Sequence, residues 1–162
     1  MMDQAILIFA FATALASAMV GGVFFGFSSF VMAALARVPI GAAISAMQSI
    51  NVVVLNSWLL RTFMAAAVAC AALAVIAVAT WQQPGSLSLI AGSLVYLAGC
   101  LGVTMLANVP LNNELAATKA ESEEGAKVWT RYLSQWTAWN HVRTIACLAA
   151  AILLLIAVAQ RL

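Results

Sequence analysis

Charge is what this chain has least of. Its 162 residues include seven basic and five acidic side chains, 7% in all, against about 25% in a soluble domain. With 65% hydrophobic residues and a mean hydropathy of +1.06, the shortfall excludes a soluble globular core and makes the bilayer the solvent. Histidine occurs once. There is therefore no His pair for a metal or haem, no HExxH helix and no Ser-His-Asp set. No GxGxxG or Walker loop is present, which argues against a nucleotide site. The three cysteines, Cys70, Cys100 and Cys147, all lie in apolar runs, are odd in number and form no CxxC pair. They read as small core residues rather than disulfides or metal ligands. A net charge of +2 with no basic stripe gives nucleic acid no footing. No metal and no cofactor is expected.

What the chain does have is length in its apolar runs. A span needs about 20 apolar residues, and four runs qualify: about 5–35, 51–80, 87–107 and 141–159. The predicted architecture is all-α, a single four-span transmembrane bundle over residues 1–162. The first run follows Asp3 rather than a basic n-region and exceeds an h-region of about 7–15 residues, so it reads as a retained span. Trp81-Gln-Gln-Pro-Gly-Ser86 is a turn that makes spans two and three antiparallel neighbours. The first connection becomes helical through Ala42–Gln48 and is expected to run into span two unbroken. The third connection holds a solvated helix at about 114–135.

Basic residues sort by side. Arg37, Arg61, Lys119, Lys127, Arg131 and Arg143 belong with the first and third connections, and Arg161 with the other side. The positive-inside rule then makes those connections cytoplasmic and the termini external, as in a bacterial inner membrane. Ala14, Ala18, Gly22 and Gly26 repeat at i, i+4 in span one. This small-residue stripe is read first as packing within the bundle, and otherwise as a homo-oligomer contact through Gly22 and Gly26.

Against this background the polar residues stand out. Amides and guanidiniums at the edge of a hydrocarbon layer are costly unless they meet a partner, cavity or water. Trp129, Tyr132, Trp136, Asn140, Arg143 and Cys147 are spaced 3, 4, 4, 3 and 4 apart, one face of a helix. His141 falls off that face. The start of span two offers Gln48, Asn51, Trp58 and Arg61, with Asn51 and Trp58 seven apart on one face. The end of span three offers Thr104, Asn108, Asn112 and Asn113, and Pro110 is expected to break the helix there. Phe24, Phe27 and Ser28 close span one. By the topology above, all four patches lie on one membrane side and can converge into a pocket with aromatic walls.

Gly26-Phe-Ser-Ser-Phe-Val-Met32, Ala46-Met-Gln-Ser-Ile-Asn51, Asn108-Val-Pro-Leu-Asn112 and Trp136-Thr-Ala-Trp-Asn-His-Val-Arg143 together resemble the anthrone oxygenase-like family of small four-span membrane proteins. Most bacterial members of that family are a domain of unknown function. The resemblance implies an oxidoreductase that converts anthrones to anthraquinones with O₂ and without a cofactor. An apolar aromatic substrate would then sit against Phe24, Phe27, Ser28, Gln48, Asn51, Arg61, Asn108, Asn112, Trp136 and Trp139. Arg143 and Asn140 would stabilise an oxyanion, and His141 or Glu114 would act as base. The same residues also fit a non-catalytic membrane protein that binds a quinone or a lipid, or serves in assembly. Transport fits less well, because the middles of the spans carry no polar groups.

Overall fold

The computed structural model describes residues 2–162, with side chains from residue 4 onward; the Asp3 side chain lies outside the described part. All regular structure among the described residues is helical. We number five helices: α1 (Gln4–Leu35), α2 (Ile40–Val53), α3 (Trp58–Ala79), α4 (Ser86–Ala116) and α5 (Glu123–Arg161). Four of them, all but α2, are long and apolar enough to cross a membrane. The chain is an all-α helical bundle of membrane-protein character.

The helices stop where local chemistry stops them. Ser57 is extended (φ −87°, ψ 160°) and its hydroxyl accepts the Leu60 amide at 3.2 Å, capping α3. A 3₁₀ turn, Val54–Asn56, joins α2 to this cap. The expected continuity from Ala42 into span two is therefore absent. A serine that satisfies a free helix N-terminus ends one helix and starts the next without Gly or Pro. Gly85, at φ +78°, turns α3 into α4, and a Cβ there would sit 2.7 Å from the Ala157 carbonyl oxygen. Ser122 caps α5 by accepting the Gly125 amide at 2.9 Å.

Two further departures concern the third connection. Pro110 does not break its helix. A π-helical turn, Thr104–Asn108, precedes it, and Pro110 sits in the first turn of the α-helical segment Val109–Ala116. The proline is accommodated inside a continuous helix because the π turn just before it departs from the regular i→i−4 ladder that its ring and missing N–H would disrupt. The solvated helix expected at 114–135 and the fourth span are likewise not separate. Residues 117–122 form the non-helical stretch of that connection, and the 39-residue α5 runs unbroken from its end. At about 1.5 Å per residue it reaches roughly 58 Å, well beyond a hydrocarbon layer of about 30 Å.

The α5 helix is the spine, and small residues on its neighbours let it approach them. A Cβ on Gly21 would meet the Cys147 Cβ at 2.9 Å, and one on Gly99 the Ala146 Cβ at 2.6 Å. The Ser17 hydroxyl donates to the Cys147 carbonyl at 2.8 Å. The packed stripe of α1 therefore runs through Ala10, Ala14, Ser17, Gly21 and Phe24, not through Ala18, Gly22 and Gly26. A Cβ on Gly22 would meet nothing within 4 Å; helical phase turns it away from the bundle. Two apolar clusters result. One, around Leu73, Tyr96 and Leu154, fills the span region. The other, around Met47, Leu115, Trp129 and Tyr132, joins α2 to the N-terminal half of α5.

Gly99→Ala should lower the melting temperature in detergent, because overpacking a filled contact costs about 1–3 kcal/mol. Gly22→Ala should leave it unchanged or raise it. Alanine gains helix propensity over glycine at either position, so a loss of stability at Gly99 alone reports the close approach.

Candidate functional site

A cavity of about 470 Å³ lies where the two apolar clusters meet, within the range of about 300–1,000 Å³ typical of ligand sites. Aromatic rings of Phe24, Phe27, Phe63 and Trp136 form part of its wall, with Ile50, Val54, Leu59 and Leu60 as aliphatic surface. Phe27 and Trp136 lean on each other at 5.7 Å between centroids. The polar side chains on the wall are Ser49, Asn51, Ser57, Thr104, Asn112 and Arg143.

Arg143 sets one end. It is 5% exposed, and no described carboxylate forms a salt bridge with it. Nη2 donates to Asn140 Oδ1 at 2.7 Å, and Nη1 makes a long 3.4 Å contact with Thr104 Oγ1. The Thr104 hydroxyl donates its proton to the Cys100 carbonyl at 2.7 Å, leaving its oxygen to accept. The guanidinium carbon lies 4.1 Å from the Phe24 ring centre and 5.1 Å from that of Trp136. The negative faces of these rings attract the cation. Nε has no acceptor among the described residues, nor has the buried Trp136 Nε1.

Asn140 holds this arrangement together. It is fully buried, and its Nδ2 donates to the Phe24 carbonyl and to Ser28 Oγ, both at 2.7 Å. The π-helical turn Phe27–Val31 widens α1 just beyond that carbonyl, a feature common where side chains must be re-aimed. One amide thus joins α1, α5 and the guanidinium.

The other polar end is a chain of three residues. The Tyr132 hydroxyl donates to Asn112 Oδ1 at 2.8 Å and stands 3.5 Å from the Asn51 amide nitrogen. Tyr132 is stacked between Trp129 and Trp136, at 5.7 and 5.8 Å. The aromatic stripe read from the spacing is this buried face of α5.

Of the residues expected at the site, the cavity wall brings together Phe24, Phe27, Asn51, Asn112, Trp136 and Arg143, with Asn140 bonded behind them. The others lie elsewhere. Gln48 donates to the Leu115 and Thr118 carbonyls at 2.8 and 2.9 Å, closing the end of α4. The Asn108 amide donates to the Trp136 carbonyl at 3.2 Å. Arg61 is exposed and stacks on exposed Trp58, 4.8 Å from its ring centre. The break at Ser57 removes the face that Asn51 and Trp58 were expected to share. Trp139 is exposed. Glu114 forms an ion pair with Arg131, both partly exposed. His141 and Ser28 belong to a shallow groove on the other side of α1 and α5, with Phe25, Ser29, Thr144 and Ile145.

Thr104 and Tyr132 belong to the site although only their helical faces, not their roles, were readable. Ser57 and Phe63 carried no signal, because the break that turns them inward is marked by no Gly or Pro. Among the described residues, no three His, Cys, Asp or Glu side chains are grouped to hold a metal ion.

The family model described as Anthrone oxygenase matches residues 52–153. The match takes in Thr104, Asn112, Trp136, Asn140 and Arg143, and leaves α1 and all but the last two residues of α2 outside it. No curated protein and no solved structure matches the chain.

Asn140→Ala removes a partner from Arg143, Ser28 and the Phe24 carbonyl at once. Each buried group left unpaired costs about 1–3 kcal/mol, so detergent melting should fall markedly. His141→Ala, on the outer groove, should stay within about 0.5 kcal/mol.

Proposed function

We propose that this chain, which belongs to the anthrone oxygenase family, oxidises an apolar, anthrone-like aromatic with O₂ in the cavity beside Arg143. The observation that carries this reading is a buried guanidinium, without a carboxylate partner among the described residues, on an aromatic-walled cavity. The substrate class supplies its own electrons, so the reading needs no resident cofactor. An anthrone has a CH₂ between two aryl rings and across from a carbonyl. Loss of one C–H proton gives an enolate, which passes an electron to O₂. The resulting radicals combine to form a C–O bond and a peroxide. Loss of the second C–H proton with cleavage of the O–O bond leaves a carbonyl. In sum, the CH₂ and O₂ become C=O and water.

The residues support the steps at which charge develops. Arg143 offers N–H donors to the enolate oxygen in a site where such donors act strongly, because their own partners are fixed beforehand. Asn140 orients the guanidinium. Phe24, Phe27 and Trp136 supply flat surface for the rings, and Asn51 and Asn112 supply amides at the opposite end. We place the protein in a bacterial inner membrane with external termini, on the strength of its distribution of Lys and Arg.

A second reading, a binding protein for a quinone or lipid, draws support from one observation. Neither His141 nor Glu114, the two bases suggested by the sequence, lies on the cavity wall.

Oxygen uptake by purified protein in detergent, with anthrone as substrate and metal content measured on the same sample, separates the two. The oxygenase reading expects uptake above the spontaneous rate without stoichiometric metal. It expects a loss of about 10²–10³-fold in Arg143→Ala, the scale for removal of an oxyanion donor, and no change in His141→Ala or Glu114→Gln. No uptake above the spontaneous rate favours the binding protein, and a metal-loaded sample overturns the cofactor-free reading.

A further inference from the structure

Arg143 is a permanent cation with only neutral partners. Burying a charge costs several kcal/mol unless it is paired. Here the compensation is one amide oxygen at 2.7 Å, one hydroxyl at 3.4 Å and two ring faces. The titratable groups whose fields act on it are the thiols of Cys100 and Cys147 and the phenol of Tyr132. Both described salt bridges, Lys127–Glu124 and Arg131–Glu114, lie elsewhere. Arg143 Nε and Trp136 Nε1 lack acceptors but are themselves buried, so what Arg143 brings to the cavity it lines is the charge of its guanidinium. A buried cation that lines the cavity and has only neutral partners calls for a ligand that carries negative charge. The wall itself offers no imidazole and no carboxylate among the described residues to create that charge from a neutral ligand.

We propose that the cavity selects its ligand as an anion: a planar aromatic acid, phenolate or enolate whose proton has already passed to water, with its oxygen on Arg143. The inference rests on the reading of this cavity as the substrate site, but it concerns binding and stands apart from turnover. For the oxygenase reaction it means that the acidity of the substrate, rather than a side-chain base, sets the supply of the reactive species. Arg143 is then a specificity-determining residue as well as an oxyanion donor. Stable carboxylates of matching shape would occupy the site and compete with substrate.

The test uses two probes that differ in charge and cannot undergo the reaction, anthracene-9-carboxylate and 9-anthracenemethanol, titrated by fluorescence into the detergent-purified full chain at neutral pH. We expect the carboxylate to bind at least tenfold more tightly, about 1.4 kcal/mol. Arg143→Gln should abolish that preference, and Arg143→Lys should retain part of it. Equal binding of the two probes by wild-type protein overturns the proposal, and this comparison needs no variant to fold. If oxygen uptake is found, its pH midpoint should move with the acidity of the substrate across ring-substituted anthrones. A single midpoint common to all of them would report a base on the protein and overturn the proposal. Carboxylate preference without oxygen uptake would uphold the anion site and reject the oxygenase reading. Uptake without carboxylate preference would do the reverse.

Discussion

The burial of one guanidinium among neutral partners is the constraint on which the rest of this structure depends. An ionised side chain at this depth is tolerated only with donors and acceptors fixed around it. The chain provides them from three helices: Asn140 on α5, Thr104 on α4 and the Phe24 ring on α1. None is charged, so the field of the cation is softened rather than cancelled. A carboxylate in place of Asn140 would form a stronger pair with Arg143 and leave less of its positive charge for a ligand. The arrangement favours binding chemistry over internal neutralisation.

Bringing those partners together requires departures from regular helix. The π-helical turns at Phe27–Val31 and Thr104–Asn108 occur on two helices at the level of the cavity. Each shifts the helical phase of the residues beyond it, as single π turns at functional sites do. The second of two π-helical stretches in α4 lies immediately before Pro110 and contains Thr104. In α1, the turn comes directly after the Phe24 ring and carbonyl that meet Arg143 and Asn140. The 3₁₀ turn and Ser57 cap between α2 and α3 admit Val54, Leu59 and Leu60 to the wall. The α5 helix, by contrast, is regular throughout and serves as the fixed reference. It aligns Tyr132, Trp136, Asn140 and Arg143 on one buried face.

Close packing and site geometry are joined through α5. The contacts of Gly21 and Gly99 with Cys147 and Ala146 hold α1 and α4 against the spine within a turn of Arg143. Because the helices approach so closely there, the rings and hydroxyl above that level stand within reach of the guanidinium. A looser bundle would leave Arg143 without Thr104, and the cavity without an end. The Gln48 bonds to the Leu115 and Thr118 carbonyls have the matching role on the other side. They tie α2 to the end of α4, so that Asn51 and Asn112 face the same Tyr132 hydroxyl.

The sequence by itself determined the solvent, the helical class and one face of the site. Composition and run length depend only on transfer free energies, so four spans are readable without knowing how they pack. The 3-4 spacing from Trp129 to Cys147 was equally legible, because α5 is unbroken and a regular helix carries phase faithfully. The tertiary structure alone decided which other polar residues join that face. Gln48, Asn108 and Asn51 look alike in sequence, yet two satisfy backbone carbonyls and one lines the cavity. Helical phase could not separate Asn51 from Trp58 once Ser57 intervened, nor Gly21 from Gly22 as the contact that matters. A break capped by a serine hydroxyl, or a π turn that adds one residue to a helix, leaves little mark on composition but rotates every side chain beyond it. The residues were visible in the sequence, but their convergence depends on backbone phase, which is settled only when the helices pack.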